Sequence, residues 1–328
     1  MSNENYYVYC KGILGVRTNI DDFKWVYGSI APNCSVEEYN KCTVKFNITV
    51  IPEKNLFGKE TYNHKFQAYM WDDNKKALHY RRTMFSKIKI GYDISINQNT
   101  VNVYVGKSYL KLVQKRIMNL HGMYYLLSDI ANMMLLKNGF LTLYASAVHF
   151  SATNKGMVFF APPNTGKTIT STSLCERDGC SFVGEDIVIT DGEKIYACPW
   201  TSSYRKNKSK LDSAGSSGRT NNLNNYSICD CCDLTDITVL SFGDYNISDD
   251  KDEIFRKIAI LNGYLFHYYA SPIVKILGYF DRDLCKSWSE YSEVILKNMV
   301  DFCNCNEIKS KNPLEFKDVV CGMLGEKT

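Results

Sequence analysis

No stretch of this 328-residue chain is apolar for long enough to cross a bilayer, which takes about 20 such residues. Its first residues, Met1 to Tyr7, are polar and lack the apolar centre of a secretory signal. Net charge is only +4, too mild a surplus to point to nucleic acid. The 13 cysteines are an odd number with no signal sequence, which argues against a secreted disulfide framework. They read as small apolar residues of a protein kept in a reducing cytoplasm. Histidines number five; His64 and His79 stand isolated, and His121 and His267 fall in helical stretches, so these four read as structural. The first third holds no catalytic constellation, and Trp71-Asp72-Asp73 reads as an exposed turn.

What is present suits a globular protein. Apolar residues make up 45% and charged residues 23%, enough to bury a core without staples. The 23 tyrosines are spread along the whole length and read as strand and surface residues. The pattern predicts a β-rich N-terminal domain over 1–115 and an α/β domain over 116–328. In the first, Thr43–Ile51, Lys87–Ile96 and Thr100–Val105 alternate as strands, with Asn97–Asn99 as a turn. A helix is expected over Met118–Leu136, stopped by Asn138-Gly139.

The second part reads strand, turn, strand, loop, helix. Phe140–Ser151 is expected as one strand, Thr153–Gly156 as a turn, and Met157–Phe160 as a wholly apolar, buried strand. Gly166–Arg177 reads as a helix. Ser181–Val183 and Ile187–Thr190 read as short strands, and Asp191-Gly192 turns the chain into Lys194–Cys198. Thr201–Thr220 carries five Lys/Arg against one Asp and reads as a solvated loop or a flap closing on phosphate or an acidic substrate. Cys229–Glu253 carries eight acids against Lys251. Glu253–Tyr268 and Leu284–Lys297 have helical periodicity, Val300–Lys309 reads as a last strand, and Pro313–Leu324 as a last helix.

Between strand and helix lies Ala161-Pro162-Pro163-Asn164-Thr165-Gly166-Lys167-Thr168. A phosphate-cradling P-loop needs inward backbone N–H groups, a lysine to reach the outer phosphates and a hydroxyl for Mg²⁺, all at a helix N-terminus. Lys167 and Thr168 supply the last two, and Gly166 allows close approach. Pro162, Asn164 and Thr165 complete the candidate cradle. Ala161 replaces the usual first glycine, Pro163 has no N–H to give, and Asn164 is among the residues that best tolerate a left-handed backbone. Glu185-Asp186, at a strand end after the P-loop helix, supplies carboxylates for a metal and for the proton of a nucleophile. Thr168 and Asp186 are the candidate metal ligands.

These residues carry a resemblance. Leu143–Val148, Val158–Thr168 and Gly184-Glu185-Asp186 together are similar to the strand, loop and acidic pair of HPr kinase/phosphorylase and its smaller serine-kinase relatives. Cys198-Pro199-Trp200 resembles a Pro-Trp feature of those relatives. The resemblance covers about 115–328 and implies the P-loop fold shared with phosphoenolpyruvate carboxykinase. It implies ATP, Mg²⁺ and phosphate transfer to a serine of a protein or peptide substrate, without nucleic acid or membrane. By position, Lys167 and Thr168 would bind phosphate and metal, Glu185 would take the serine proton, and Asp186 would help hold the metal. Glu185 stands where the family has Asp, and Tyr144 where it has His. A homo-oligomer is also implied, though no motif carries it. The altered loop equally suits a nucleotide-binding module with little catalysis, and a small-molecule acceptor stays open. Cys229, Cys231 and Cys232 with Cys303 and Cys305 offer a thiolate metal site without the usual Cys-x-x-Cys spacing.

Overall fold

A computed structural model describes residues 4–20, 25–27, 31–57, 62–72, 77–84, 86–114, 120, 122–198, 226–267 and 282–323. The basic stretch Thr201–Thr220 and Pro199-Trp200 lie outside the described residues. The chain is mixed α/β, with two mixed sheets. It divides into two compact units, Met1–Asn138 with Tyr269–Lys286, and Gly139–Tyr268 with Ser287–Thr328.

The first unit begins with β1 (Asn5–Cys10), β2 (Leu14–Thr18), α1 (Val36–Lys41) and β3 (Val44–Ile51). β4 (His64–Phe66), β5 (Tyr69–Asp72), β6 (Ala77–Met84), β7 (Ile88–Asn97) and β8 (Thr100–Gly106) follow. They form one sheet in the order β1-β2-β3-β8-β7-β6-β5-β4. Strict alternation of buried and half-buried residues along β3 is the period of a strand with one face on a core. Helices α2 (Lys107–Gln114) and α3 (Met123–Lys137) follow. α3 is buried nearly all round, as a helix apolar on every side must be. It packs on β3, and the first unit runs to Asn138. Asn138 caps it, with Gly139 at φ +82°, as Asn138-Gly139 predicts.

The second unit is built on a nine-stranded sheet. Its strands are β9 (Leu141–Leu143), β10 (Ala145–Phe150), β11 (Lys155–Phe160), β12 (Cys180–Gly184), β13 (Val188–Thr190) and β14 (Lys194–Tyr196). β15 (Cys231–Phe242), β16 (Asn246–Ser248) and β17 (Asn304–Ser310) finish it. The order is β12-β10-β11-β15-β14-β13-β9, with β17 also on β15 and β16 on β17. β11 runs antiparallel to β10 and parallel to β15, so the expected buried strand lies inside the sheet. The helices are α4 (Lys167–Leu174), α5 (Lys251–Asn262), α6 (Tyr264–His267), α7 (Arg282–Phe302) from Ser287 on, and α8 (Glu315–Met323). α4 and α8 cover β10, β11 and β12 over a core that includes Val148, Phe159, Leu174, Phe182, Phe316 and Val320.

Three expectations are corrected here. Phe140–Ser151 is not one strand: the chain breaks at Tyr144, and β9 pairs with β13 while β10 pairs with β11 and β12. The acidic segment Cys229–Glu253, read without an element of its own, contains β15, which lies inside the sheet. The last strand starts at Asn304 rather than Val300, because Met299 and Val300 extend the buried face of α7. The helix expected over Gly166–Arg177 starts at Lys167, with Gly166 as its cap, and ends at Leu174.

Candidate functional site

The loop 161–166 leaves the end of β11 and enters α4. Gly166 takes φ +117°, a conformation that side chains oppose, and a Cβ there would sit 2.8 Å from Pro313 Cβ. Asn164, at φ +66°, makes the second left-handed step, as its side chain allows. Pro162, Pro163 and Asn164 are exposed at the tip, whereas Thr165 is buried and its N–H donates to the Pro162 carbonyl at 3.3 Å. Among the described residues, no side chain caps α4. Its first-turn N–H groups, which a helix cannot satisfy internally, suit an anion.

Three chain segments converge at that helix start. Thr168 Oγ1 donates to Glu185 Oε1 at 2.5 Å, and Glu185 is only 1% exposed. Lys167 Nζ lies 3.3 Å from Asp186 Oδ1 and 3.5 Å above the centre of the Tyr144 ring. Ser146 Oγ donates to the Lys167 carbonyl at 3.2 Å, tying β10 to the first residue of α4. Gly184 precedes the acidic pair because a Cβ there would meet the Ile187 carbonyl at 2.6 Å. The tight return at Gly184 aims two consecutive carboxylates at two different partners. Asp186 itself takes φ +62°, which an acidic residue tolerates better than most.

The break at Tyr144 has a distant cause. Asn262, 2% exposed at the end of α5, accepts from the Tyr144 N–H at 2.8 Å and donates to the Thr142 carbonyl at 3.2 Å. It satisfies the backbone where β9 ends and β10 begins, and fixes Tyr144 beneath Lys167. Sequence reading took Tyr144 only as a lost histidine. A tyrosine facing a P-loop lysine is a signal only once the strand break is known.

Other candidates stay apart from this cluster. His149 bonds Asn154 at 3.2 Å in the β10–β11 hairpin, at the other end of β10 from Ala145. Cys175 and Cys180 face each other with sulfurs 3.7 Å apart at the C-terminal end of α4. That contact and burial push the Cys175 thiol far up, and burial alone raises Cys198 to about 12, so neither is a thiolate at neutral pH. Cys229 donates to the Cys231 carbonyl, Cys303 to that of Leu234 and Cys305 to that of Val300. Among the described residues, no three His, Cys, Asp or Glu side chains are placed to hold a metal ion. The Thr168–Glu185 pair still suits Mg²⁺, which takes hard oxygen ligands and commonly binds through one or two carboxylates plus substrate phosphates. In the first unit, a cavity of about 550 Å³ is lined by Tyr69, Tyr80, Tyr92 and Tyr109 with Arg81 and Arg82. Arg81 is already neutralised by Asp93 at 2.5 Å. Among the described residues, no helix is long and apolar enough to cross a membrane.

The chain matches no protein-family model, and no curated protein matches it.

Proposed function

We propose that this chain is an ATP-dependent, Mg²⁺-requiring kinase that transfers the γ-phosphate to a serine of a protein or peptide. One observation carries the reading: Lys167, Thr168, Glu185 and Asp186 meet at the start of a helix entered from a buried strand through a glycine-dependent loop. Each part has a task in phosphoryl transfer. The N-terminus of α4 and Lys167 would take the outer phosphates. Thr168 and Glu185 would hold Mg²⁺, which offsets charge on the phosphates. A carboxylate would receive the acceptor's proton. The short motifs shared with the HPr-kinase-like serine kinases favour this chemistry and the fold of phosphoenolpyruvate carboxykinase type, and cytoplasmic ATP fits the reduced cysteines.

A second reading, a nucleotide-binding module without efficient transfer, is favoured by Pro163, which has no N–H, and by the existing engagement of Lys167 with Asp186. The two separate in one assay. The protein is incubated with γ-labelled ATP, Mg²⁺ and candidate peptides, beside Lys167→Ala and Glu185→Gln variants. Label transfer by the wild type, lost in both variants, supports the kinase. Nucleotide binding without transfer or hydrolysis supports the module. Losing a charged hydrogen bond to phosphate costs about 1.5–3 kcal/mol, so Lys167→Ala is expected to weaken ATP binding at least about tenfold. Unchanged affinity in that variant would overturn the P-loop assignment itself.

A further inference from the structure

Glu185 and Asp186 are neighbours in sequence and opposites in environment. The Glu185 carboxylate is enclosed and already bound to the Thr168 hydroxyl. The Asp186 side chain is 34% exposed and paired with Lys167, whose own side chain is only 6% exposed. The positive φ of Asp186 turns the second carboxylate away from the first. A serine on a protein or peptide is bulky and must approach from solvent, where it can reach Asp186 and not Glu185.

Resting on the kinase reading, we propose that Asp186 is the catalytic base, and that Lys167 holds it back until a nucleotide arrives. This reverses the roles implied by position in the resembling family. The phosphates of ATP take over the Lys167 ammonium, which the Tyr144 ring keeps from following Asp186. Asp186 is thereby released toward the acceptor. As the serine oxygen bonds to the γ-phosphorus, its proton passes to an Asp186 carboxylate oxygen. The bond from the γ-phosphorus to the bridging oxygen breaks, and its electron pair leaves on the diphosphate. Asp186 then returns the proton to solvent. Glu185, beside Thr168, would hold the metal and take no proton.

The test compares wild type, Asp186→Asn and Glu185→Gln, both substitutions nearly isosteric, and Asn keeps the tolerance for positive φ. ATP affinity is measured by calorimetry with Mg²⁺ and with EDTA, next to transfer rates. Removing the carboxylate that competes for Lys167 is expected to tighten ATP binding in Asp186→Asn about 3–10-fold in both media, since each tenfold is one charge-assisted contact of modest strength. Transfer by that variant should fall by about 10²–10⁴. Glu185→Gln should lose the Mg²⁺-dependent gain in affinity and leave binding in EDTA unchanged. The opposite pattern, with Mg²⁺-dependent affinity lost in Asp186→Asn and kept in Glu185→Gln, would overturn the proposal. A wild type that binds ATP but transfers to nothing would instead sink the kinase reading, and the affinities would still show which carboxylate competes for Lys167.

Discussion

Gly166→Ala tests whether the phosphate loop depends on its glycine for backbone freedom, for space, or for both. Gly166 sits at φ +117° and ψ 4°. Forcing a residue with a Cβ into positive φ costs roughly 1–2 kcal/mol. The new methyl would also lie 2.8 Å from Pro313 Cβ, and overpacking of this kind costs about 1–3 kcal/mol. The expected total is about 2–5 kcal/mol, a large share of the roughly 5–15 kcal/mol that holds a domain together. With two compact units, a global melt need not be two-state. Hydrogen exchange of amides in β10, β11 and β12 therefore reads the unit concerned. Pro313→Gly removes the crowding atom and leaves φ untouched. In a double-mutant cycle, the pair should recover the crowding cost and keep the backbone cost. Strict additivity within about 0.5 kcal/mol, or a Gly166→Ala variant as stable as wild type, would refute the reasoning.

Three further outcomes follow from described contacts. A desolvated cation–π contact is worth about 2 kcal/mol, so Tyr144→Leu, which takes the ring from Lys167, should destabilise the second unit by up to about 2 kcal/mol in hydrogen exchange, while Tyr144→Phe, which keeps the ring, should stay within about 0.5 kcal/mol of wild type; equal losses in both would assign the effect to the hydroxyl. Asn262→Ala removes two hydrogen bonds at the β9–β10 break and should destabilise the second unit by about 2–3 kcal/mol, seen as faster exchange at Tyr144. Glu307 is buried, which raises its carboxyl, but hydrogen bonds from Lys257 and Ser241 outweigh this and leave it below the usual 4.5. Its folded pKa is thus depressed, so its contribution is full above about pH 4.5 and is lost as pH falls through the folded value. The stability gap between wild type and Glu307→Gln should accordingly narrow from pH 6 to pH 3 in denaturant titrations.

The parts legible in the sequence were those encoded over a few residues. Gly166-Lys167-Thr168 after an apolar strand, Glu185-Asp186 after Gly184, and the Asp191-Gly192 hairpin each carry their own local reason. In the hairpin, Asp191 Oδ1 accepts from the Lys194 N–H at 2.8 Å and Gly192 sits at φ +101°. What stayed hidden depends on partners far along the chain. Nothing in Leu143-Tyr144-Ala145 marks a strand break, because Asn262 makes it from the end of α5. β15 looked like an acidic stretch because Asp233 and Asp236 sit in it. Asp236 is buried yet answered by the Thr235 hydroxyl at 2.6 Å and by Lys155 at 3.8 Å, which charge counting cannot anticipate. The different settings of Glu185 and Asp186 were equally invisible, since they rest on a positive φ and on which carboxylate solvent reaches.

β15 also sets a timetable for the ribosome. One neighbour of β11, the strand β10, precedes it and can pair at once. The other is β15, which begins only when synthesis has run from Phe160 to Cys231. At about 5–20 residues per second, that interval lasts about 4–14 s. Throughout it, the apolar edge formed by Gly156–Phe160, all buried in the finished sheet, has no strand beside it. A nascent chain stopped before Cys231 would carry Lys167, Thr168, Glu185 and Asp186 while β11 still lacked its second partner. Its safest course through the cell would be one in which translation does not pause there.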